Sequence, residues 1–241
     1  MLQIANLTKH YGQSQKGITD LTLQVMPGDI FAFIGHNGAG KTTALKCVSG
    51  IHGFDEGEIL VDGISMNDNP MECKRRFAYI PDNPDLYEYL TGIQYLNFVA
   101  DVFQISARER EERIAAFAAD FEITGALGDL ISSYSHGMKQ KLAIISALIH
   151  EPKLLILDEP FVGLDPKAAV ILKNKMRDVC ASGGAVFFST HVLDVAEKLC
   201  NKVAIIKDGR MVITGDMNLI VKEGQSLEDI FMEVACDAER G

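Results

Sequence analysis

The chain lacks the features that mark secreted, membrane-spanning and low-complexity proteins. Its five cysteines are scattered and form no CxxC pair, which predicts reduced thiols rather than a disulfide framework or a metal site. No stretch reaches the roughly 18 uncharged apolar residues that a spanning helix needs. The first residues show neither the basic start nor the apolar run of a signal peptide. We therefore expect a cytoplasmic protein, and any action at a membrane would require another chain to supply the span.

Positive charge is also in short supply. The 23 Lys and Arg residues stand against 33 Asp and Glu residues, so the formal net charge is −10. Because phosphate backbones attract clustered Lys and Arg, this balance argues against nucleic acid as the main partner. The 241 residues, 47% of them hydrophobic, fit one large globular domain or a domain with an inserted subdomain.

The apolar runs predict an α/β fold. Two N-terminal segments alternate apolar and polar positions, as half-buried strands do. Later runs are continuously apolar and are separated by helical stretches, which is typical of parallel strands that are buried on both faces and joined by crossover helices. The alternating segments are residues 2–8 and 18–25, and the continuous runs are residues 30–34, 77–80, 153–157, 185–189 and 202–207.

A helical block interrupts these strands. Helical periodicity appears at residues 99–103, 108–121 and 136–150. We therefore predict one domain over residues 1–215, in which a helical insertion at 86–146 separates core segments 1–85 and 147–215. Residues 216–241 are expected to form a short helical tail.

A glycine-rich segment between a predicted strand and a predicted helix indicates a phosphate-binding loop. Residues 35–42 fit the pattern G-x-x-x-x-G-K-[ST]. Glycines let several backbone N–H groups point at one phosphate, and the following helix adds the positive end of its dipole. Lys41 supplies a charge for the outer phosphates, and the Thr42 hydroxyl can ligate Mg²⁺; the alternative is a structural glycine-rich turn. The predicted nucleotide contacts are Gly35, His36, Asn37, Gly38, Ala39, Gly40, Lys41, Thr42 and Thr43.

Two acids follow an apolar strand later in the chain. Residues 154–157 are Leu-Leu-Ile-Leu, and Asp158, Glu159 and Pro160 come next. A strand end aimed at the phosphate loop lets Asp158 hold Mg²⁺ through water and lets Glu159 accept a proton from the attacking water. The alternative is an acidic turn that only ends the strand.

Further motifs, in the right order, resemble the nucleotide-binding subunit of ATP-binding-cassette (ABC) transporters. Residues 134–140, Y-S-H-G-M-K-Q, are similar to the family's LSGGQ signature. Residues 163–166, G-L-D-P, look like its D-loop and include Asp165. Residues 189–191, S-T-H, look like its switch-histidine loop, and Tyr11 stands where the family stacks an aromatic ring on adenine. The resemblance covers essentially residues 1–215.

The resemblance implies a P-loop NTPase core with a mainly parallel sheet, an N-terminal antiparallel β subdomain and an inserted helical subdomain. It implies a Mg-dependent ATPase with ATP and Mg²⁺ as cofactors, Glu159 as general base and His191 at the γ-phosphate. Two such subunits, as a homodimer or as paired ABC ATPases, would pack head to tail. Each ATP would then lie between residues 35–42 of one chain and the signature of the other, Ser135, His136, Gly137 and Met138.

This sequence departs from the family pattern at three positions. His136 replaces the first glycine of the signature, and Met138 replaces its glutamine. Asp82 stands where the family has the glutamine that ligates Mg²⁺. Because an aspartate is also a hard oxygen donor, we expect Asp82 still to reach the metal.

Three of these residues have ordinary structural alternatives. A loop tyrosine such as Tyr11 usually packs against neighbours. A histidine at a strand end, such as His191, is often a satisfied core residue. Ser135 could serve as a helix N-cap.

The functional expectation is the energising subunit of a separate transmembrane permease, on the cytoplasmic face of the membrane. Export is favoured over import because variants such as Y-S-H-G-M-K-Q resemble those of two-chain ABC-2-type exporters. Residues 86–90, L-Y-E-Y-L, would form the docking surface or, alternatively, an ordinary buried helix start. The competing functions are a soluble ABC-type ATPase and a regulatory ATP-binding module without transport.

Overall fold

Two β-sheets form the centre of the molecule. A computed structural model describes residues 1–12, 16–222 and 224–236, without the side chains of the last two residues. Its strands are β1 (Leu2–His10), β2 (Gly17–Val25), β3 (Ile30–Ile34), β4 (Glu56–Val61), β5 (Ile64–Ser65), β6 (Phe77–Ile80), β7 (Leu154–Asp158), β8 (Ala185–Thr190), β9 (Lys202–Lys207) and β10 (Arg210–Asp216).

Helices connect and cover these strands. They are α1 (Lys41–Val48), α2 (Pro70–Lys74), α3 (Gly92–Val102), α4 (Ala107–Asp120), α5 (His136–Leu148), α6 (Pro166–Ala181), α7 (Leu193–Leu199), α8 (Met217–Ile220) and α9 (Leu227–Cys236). Within the described residues, no helix is long and apolar enough to cross a membrane.

The larger sheet has the strand order β10-β9-β3-β8-β7-β6, in which all neighbours are parallel except β10 and β9. Strand β3 explains the continuous apolar runs of the sequence. Phe31 and Phe33 point into one core, and Ile30, Ala32 and Ile34 point into the other. Both faces of the strand are therefore buried, as expected for a parallel sheet between two layers.

The smaller sheet is antiparallel, with the order β2-β1-β4-β5. Its inner face and α1 share a core with Phe31, Phe33 and Phe187 of the larger sheet. This packing holds the start of α1 at the carboxyl end of β3. The α/β fold with an antiparallel N-terminal sheet and a mainly parallel second sheet is thus confirmed.

Helices α3, α4 and α5 form the helical insertion. The first two begin with capping boxes, in which Thr91 pairs with Gln94 and Ser106 pairs with Glu109. Helix α5 runs to Leu148, so the predicted limit at residue 146 falls inside it. The division into core, insertion and tail stays a prediction.

Several elements differ from the sequence-based expectations. Helix α3 begins at Gly92 rather than at residue 99, and residues 86–90 precede it, so they are not a helix start. Strands β5 and β10 and helix α2 were not predicted. The short β5 and α2 offer too few residues for a periodic pattern. The tail contains α8 and α9, and its residues 237–241 lie outside the described part of the chain.

Candidate nucleotide-binding site

The predicted phosphate loop connects β3 to α1. Gly38 and Gly40 have φ angles of 83° and 109°, in the region that favours glycine. A Cβ atom on Gly40 would lie 2.8 Å from the Cγ2 atom of Ile18, so a larger residue would also collide with β2. The loop therefore curls tightly into the first turn of α1, where backbone N–H groups have no partner within the helix.

A cleft of about 310 Å³ opens in front of this loop. It brings together residues that are distant in the chain and that the sequence analysis had singled out, including Tyr11, Asp82 and Glu159. Ala39, by contrast, is fully buried, and its carbonyl accepts a hydrogen bond from the Gly209 amide at 2.9 Å. The cleft is lined by Tyr11, Lys16, Gly17, His36, Asn37, Gly38, Gly40, Lys41, Thr42, Thr43, Asp82 and Glu159.

Lys41 is held at the back of the cleft. It is the first residue of α1 and only 6% exposed. Its Nζ atom donates to the Gly35 carbonyl at 2.6 Å and lies 3.4 Å from Oε1 of Glu159. The ammonium group therefore sits between the loop that is predicted to bind phosphate and the predicted general base.

Asp158 ends β7 and is completely buried. Its Oδ1 atom accepts a hydrogen bond from the Ser189 hydroxyl, whereas Oδ2 has no hydrogen-bond partner among the described residues. Burial raises the pKa of this carboxyl group above its ordinary value, and the charges of Asp82 and Glu159 raise it further. The hydroxyls of Ser189 and Thr42 oppose the rise.

Glu159 follows directly, with a φ of 46° that an L-residue rarely adopts. This turn aims its carboxylate back across the sheet. Besides the Lys41 contact, its Oε2 atom lies 3.0 Å from Nδ1 of His191 and accepts from the His191 amide at 3.3 Å. The Glu159 amide donates to Ser189 Oγ at 3.0 Å.

His191 follows the end of β8, and its side chain is 52% exposed. It is therefore not a satisfied core histidine, which was the structural alternative.

Tyr11 is 42% exposed and touches His52 edge to face, with ring centroids 6.0 Å apart. The ring thus packs on His52 and also lines the cleft, so its contact with adenine stays a prediction.

The signature and D-loop residues lie elsewhere. Ser135 is the N-cap of α5 and accepts a hydrogen bond from the Met138 amide at 3.3 Å, so its N-cap role is real. Asp165 caps α6 through the Ala168 amide at 2.8 Å. Neither Ser135, His136, Gly137, Met138 nor Asp165 lines the cleft at residues 35–43. Their contact with the nucleotide of a second molecule stays a prediction.

Ser189 was predicted only as part of the S-T-H motif at residues 189–191, without a role of its own. The structure pairs it in register with Asp158 on neighbouring parallel strands β7 and β8. Only the strand order shows that these two residues, 31 positions apart, are adjacent. Its place at the end of an apolar strand and in the S-T-H motif indicated proximity to the site, but neither feature indicated Asp158 as its partner.

The arrangement fits Mg²⁺ that arrives with phosphate oxygens. Asp158 Oδ2 is a buried oxygen with no hydrogen-bond partner in the part of the chain that the structure describes, and the Thr42 hydroxyl and Asp82 lie close to the same carboxyl group. Among the described residues, no three His, Cys, Asp or Glu side chains converge to hold an ion by themselves. Mg²⁺ commonly binds through one or two carboxylates plus substrate phosphates, so this donor set suits it.

Comparison with known proteins agrees with this geometry. The sequence profile of the family described as "ABC transporter" matches residues 18–162. The chain is also 31% identical over 238 residues to the ABC-type transporter ATP-binding protein EcsA of Bacillus subtilis (strain 168), which covers 97% of this chain and 96% of that protein. The chain belongs to the ABC transporter family, as an ATP-binding subunit. Another relative in this family is the SkfA peptide export ATP-binding protein SkfE of the same organism, at 32% identity over 88% of this chain and 87% of that protein.

Solved structures of ABC proteins show the same fold. One, "Structure of ATP binding subunit of ABC transporter", is 36% identical, has a TM-score of 0.92, and covers 98% of this chain and 99% of its own. The ABC cassette MJ0796, solved as a dimer in a post-hydrolysis state bound to ADP and Pi, has a TM-score of 0.80 at 23% identity, over 90% of this chain and 99% of its own. At that identity the likeness concerns the fold alone.

Proposed function

We propose that this ABC subunit binds Mg-ATP in the cleft at residues 35–43 and hydrolyses it to drive a separate membrane permease. The observation that carries the proposal is the convergence of Lys41, Glu159 and His191. Two contacts, of 3.4 Å and 3.0 Å, join a buried cation, a carboxylate and an imidazole at one end of the parallel sheet. A structural glycine turn followed by an unrelated acidic turn would not need this arrangement.

Each group has a distinct task in the proposed reaction. The amides of residues 35–42 and the Lys41 ammonium bind the β- and γ-phosphates. Asp158 and the Thr42 hydroxyl hold Mg²⁺, with Asp82 as a further oxygen donor. When Mg²⁺ is bound there, it neutralises phosphate charge. Glu159 accepts the proton of the attacking water, and His191, in contact with Glu159, contacts the γ-phosphate.

The proposed working unit is a head-to-tail pair of such subunits, either two copies of this chain or this chain with another ABC ATPase. This arrangement is supported by Ser135 and His136, which are exposed at the start of α5 and outside their own cleft. A helix N-terminus with a serine hydroxyl suits the γ-phosphate of a nucleotide bound to the partner. Hydrolysis would remove that phosphate and open the pair, which is the proposed mechanical stroke.

The permease would dock beside Asp82. Tyr87 contacts Tyr89, Tyr95 and Phe98 through ring centroids 5.7–6.2 Å apart, and Tyr87, Tyr89 and Phe98 are 46%, 75% and 45% exposed. Exposed aromatic clusters of this kind are common at protein interfaces. Glu88 in the same segment forms an ion pair with Lys139 of α5, so docking would act on the signature helix. The subunit would then lie peripherally on the cytoplasmic face of the membrane.

Export is the proposed direction. One relative supports it by name: SkfE, described above, is a peptide export ATP-binding protein. Its cargo is a property of that protein, and the substrate path of this system would lie in its permease.

The decisive experiment measures phosphate release by the purified protein with ATP and Mg²⁺. The wild-type protein should release phosphate, and Lys41→Ala should abolish both ATP binding and hydrolysis. Lys46→Ala is a matched control, because Lys46 lies in the last turn of the same helix. Hydrolysis at the wild-type rate by Lys41→Ala would contradict the proposal.

A further inference from the structure

The start of the signature helix α5 packs directly against the D-loop segment, residues 163–166, of the same chain. A Cβ atom on Gly163 would lie 2.5 Å from Cδ2 and 2.8 Å from Nε2 of His136. The imidazole therefore lies against the Cα atom of Gly163, and a methyl group at that position would displace the ring. Gly163 also has a φ of 80°, which independently favours glycine.

Two further contacts join the same elements. A Cβ atom on Gly137 would lie 2.9 Å from the Gly163 carbonyl oxygen, so the two backbones are in close contact. One turn further along α5, the Lys141 ammonium lies 2.7 Å from Asp165 Oδ2. This ion pair keeps the pKa of Asp165 below its ordinary value. The first two turns of α5 and the D-loop are thus connected at three successive points.

The D-loop in turn is connected to the proposed general base. Glu159 lies four residues before Gly163, and the Val162 amide donates to the Glu159 carbonyl at 3.1 Å. On the other side, Asp165 is fixed as the N-cap of α6. This short segment, which is hydrogen-bonded at both ends, therefore connects the contact at His136 to the turn that orients Glu159.

We propose that His136 is a positioning residue that couples the start of α5 to Glu159 of its own chain. The inference rests on the proposed function, in which α5 serves the nucleotide of the partner and Glu159 serves the nucleotide of its own chain. The imidazole therefore links the two ATP sites of a head-to-tail pair. Arrival of a partner's γ-phosphate at Ser135 would adjust Glu159 through the contact between His136 and Gly163. The imidazole, present where related signatures carry glycine, has a task that does not require it to touch phosphate.

The test compares variants that remove the ring with one that keeps it. His136→Ala and His136→Gly both abolish the contact, and they differ in backbone freedom at the helix start. His136→Phe keeps a flat ring that does not titrate. The ring-deleted variants should lose on the order of tenfold to a hundredfold in kcat, as small misplacements of catalytic groups do, with little change in ATP affinity. His136→Phe should retain most of the wild-type rate.

The dependence of rate on ATP concentration separates coupling from a purely structural role. The wild-type rate should rise sigmoidally with ATP, and His136→Ala should make the curve hyperbolic while the thermal unfolding midpoint stays close to that of the wild type. Gly163→Ala should damage the wild type more than it damages His136→Ala, because its methyl group displaces the ring only where the ring is present, whereas the backbone strain at a φ of 80° is common to both backgrounds.

The proposal is overturned if His136→Gly matches the wild type in kcat and in cooperativity, if the wild-type curve is itself hyperbolic, or if the effects of His136→Ala and Gly163→Ala simply add. If His136→Ala unfolds, the same comparison is made between His136→Phe and His136→Gln, which lacks the ring but keeps a long side chain. Retention of hydrolysis by Lys41→Ala would instead contradict the proposed function, so the two failures are distinguishable.

Discussion

The Nζ atom of Lys41 lies 3.4 Å from Oε1 of Glu159, and both side chains are largely buried, at 7% and 15% exposure. The cation that is proposed to bind the terminal phosphates thus interacts with the carboxylate that is proposed to activate water. An incoming phosphate competes with Glu159 for this ammonium group. Phosphate binding would then release the carboxylate to interact with water and with His191.

Replacing Glu159 by Gln should therefore separate binding from hydrolysis. The neutral amide no longer competes for Lys41, so ATP affinity should rise several-fold, as measured by calorimetric titration. Hydrolysis should fall by about 10²–10⁴-fold, the range expected for loss of a general base. Asp208→Asn is the control, because Asp208 lies near His36 on the other side of the loop and is not proposed to act in the reaction. An unchanged rate in Glu159→Gln would remove Glu159 from the mechanism.

Ser189 should set the acidic limit of activity. Its hydroxyl lowers the pKa of Asp158, which burial has raised. Ser189→Ala removes that hydrogen bond, so the pKa of Asp158 rises further and protonation occurs at higher pH. Since Asp158 must be ionised to hold Mg²⁺, the acidic limb of the pH–rate profile should move to higher pH. Loss of this buried hydrogen bond should also lower the free energy of unfolding by about 1–3 kcal/mol.

The matched control for Ser189→Ala is Ser182→Ala. The Ser182 hydroxyl donates to the Val179 carbonyl at 2.9 Å on an exposed helix end. This change should move neither the acidic limb nor the unfolding free energy appreciably. Identical pH profiles for Ser189→Ala and the wild type would show that Asp158 does not limit activity at low pH.

Replacing Asp82 should move the acidic limb of the pH–rate profile to lower pH, opposite to the shift expected for Ser189→Ala. Its charge raises the pKa of Asp158, so Asp82→Asn should lower that pKa and move the acidic limb to lower pH. If Asp82 also ligates Mg²⁺, the Mg²⁺ concentration that gives half the maximal rate should be higher for Asp82→Asn than for the wild type. Asp85→Asn, three residues away and exposed, is the control. Because an asparagine oxygen could also ligate Mg²⁺, the test of ligation is completed with Asp82→Ala, and unchanged Mg²⁺ dependence in Asp82→Ala would rule out Asp82 as a ligand.

The site illustrates what a sequence pattern can and cannot predict. The phosphate loop and the strand that ends in Asp158 were predicted because each depends on adjacent residues, through glycine conformations and apolar runs. The contacts of Lys41 and His191 with Glu159 depend on the strand order β3-β8-β7. The pattern of apolar runs gives no such order. The hydrogen bond of Ser189 with Asp158 was missed for the same reason, and the packing of His136 on Gly163 depends on the angle between α5 and the D-loop.

Strand β10 was not predicted from the sequence for a different reason. Its residues alternate between exposed and partly exposed positions at the edge of the larger sheet, and the strand includes Gly215. The alternation of apolar and polar residues along the strand is therefore weak. The strand forms because its backbone pairs antiparallel with β9. Tertiary context of this kind overrides local preference.

His150 should make stability depend on pH. Its ring stacks on Phe103 with centroids 3.7 Å apart, and burial, aided by the charge of Arg113, lowers its pKa from 6.5 to about 4. The unfolded chain takes up a proton near pH 6.5, whereas the folded protein does so only near pH 4. The free energy of unfolding should therefore fall between these two values, by up to about 3 kcal/mol.

The measurement for His150 is urea unfolding at several pH values across this window. His150→Phe keeps a stacked ring but cannot take up a proton, so its loss of stability on acidification should be smaller than that of the wild type. Other titrating groups are the same in both proteins and cancel in the comparison. Equal losses in the two proteins would show that His150 does not titrate in this window.

The buried side-chain amide of Gln140 should lower the free energy of unfolding of the resting protein. It is fully buried on α5, and neither of its side-chain polar atoms has a hydrogen-bond partner among the described residues. Burying an unpaired amide is unfavourable, so Gln140→Leu should raise the free energy of unfolding by about 1 kcal/mol or more. Gln94→Leu is the control: Gln94 accepts from the Thr91 amide at 2.9 Å in a capping box, so its loss should destabilise the protein.

If Gln140→Leu is more stable but hydrolyses ATP more slowly, the amide acquires its partner during the reaction cycle, and the start of α5 must then move. If Gln140→Leu is less stable than the wild type, the amide is already satisfied in the resting protein.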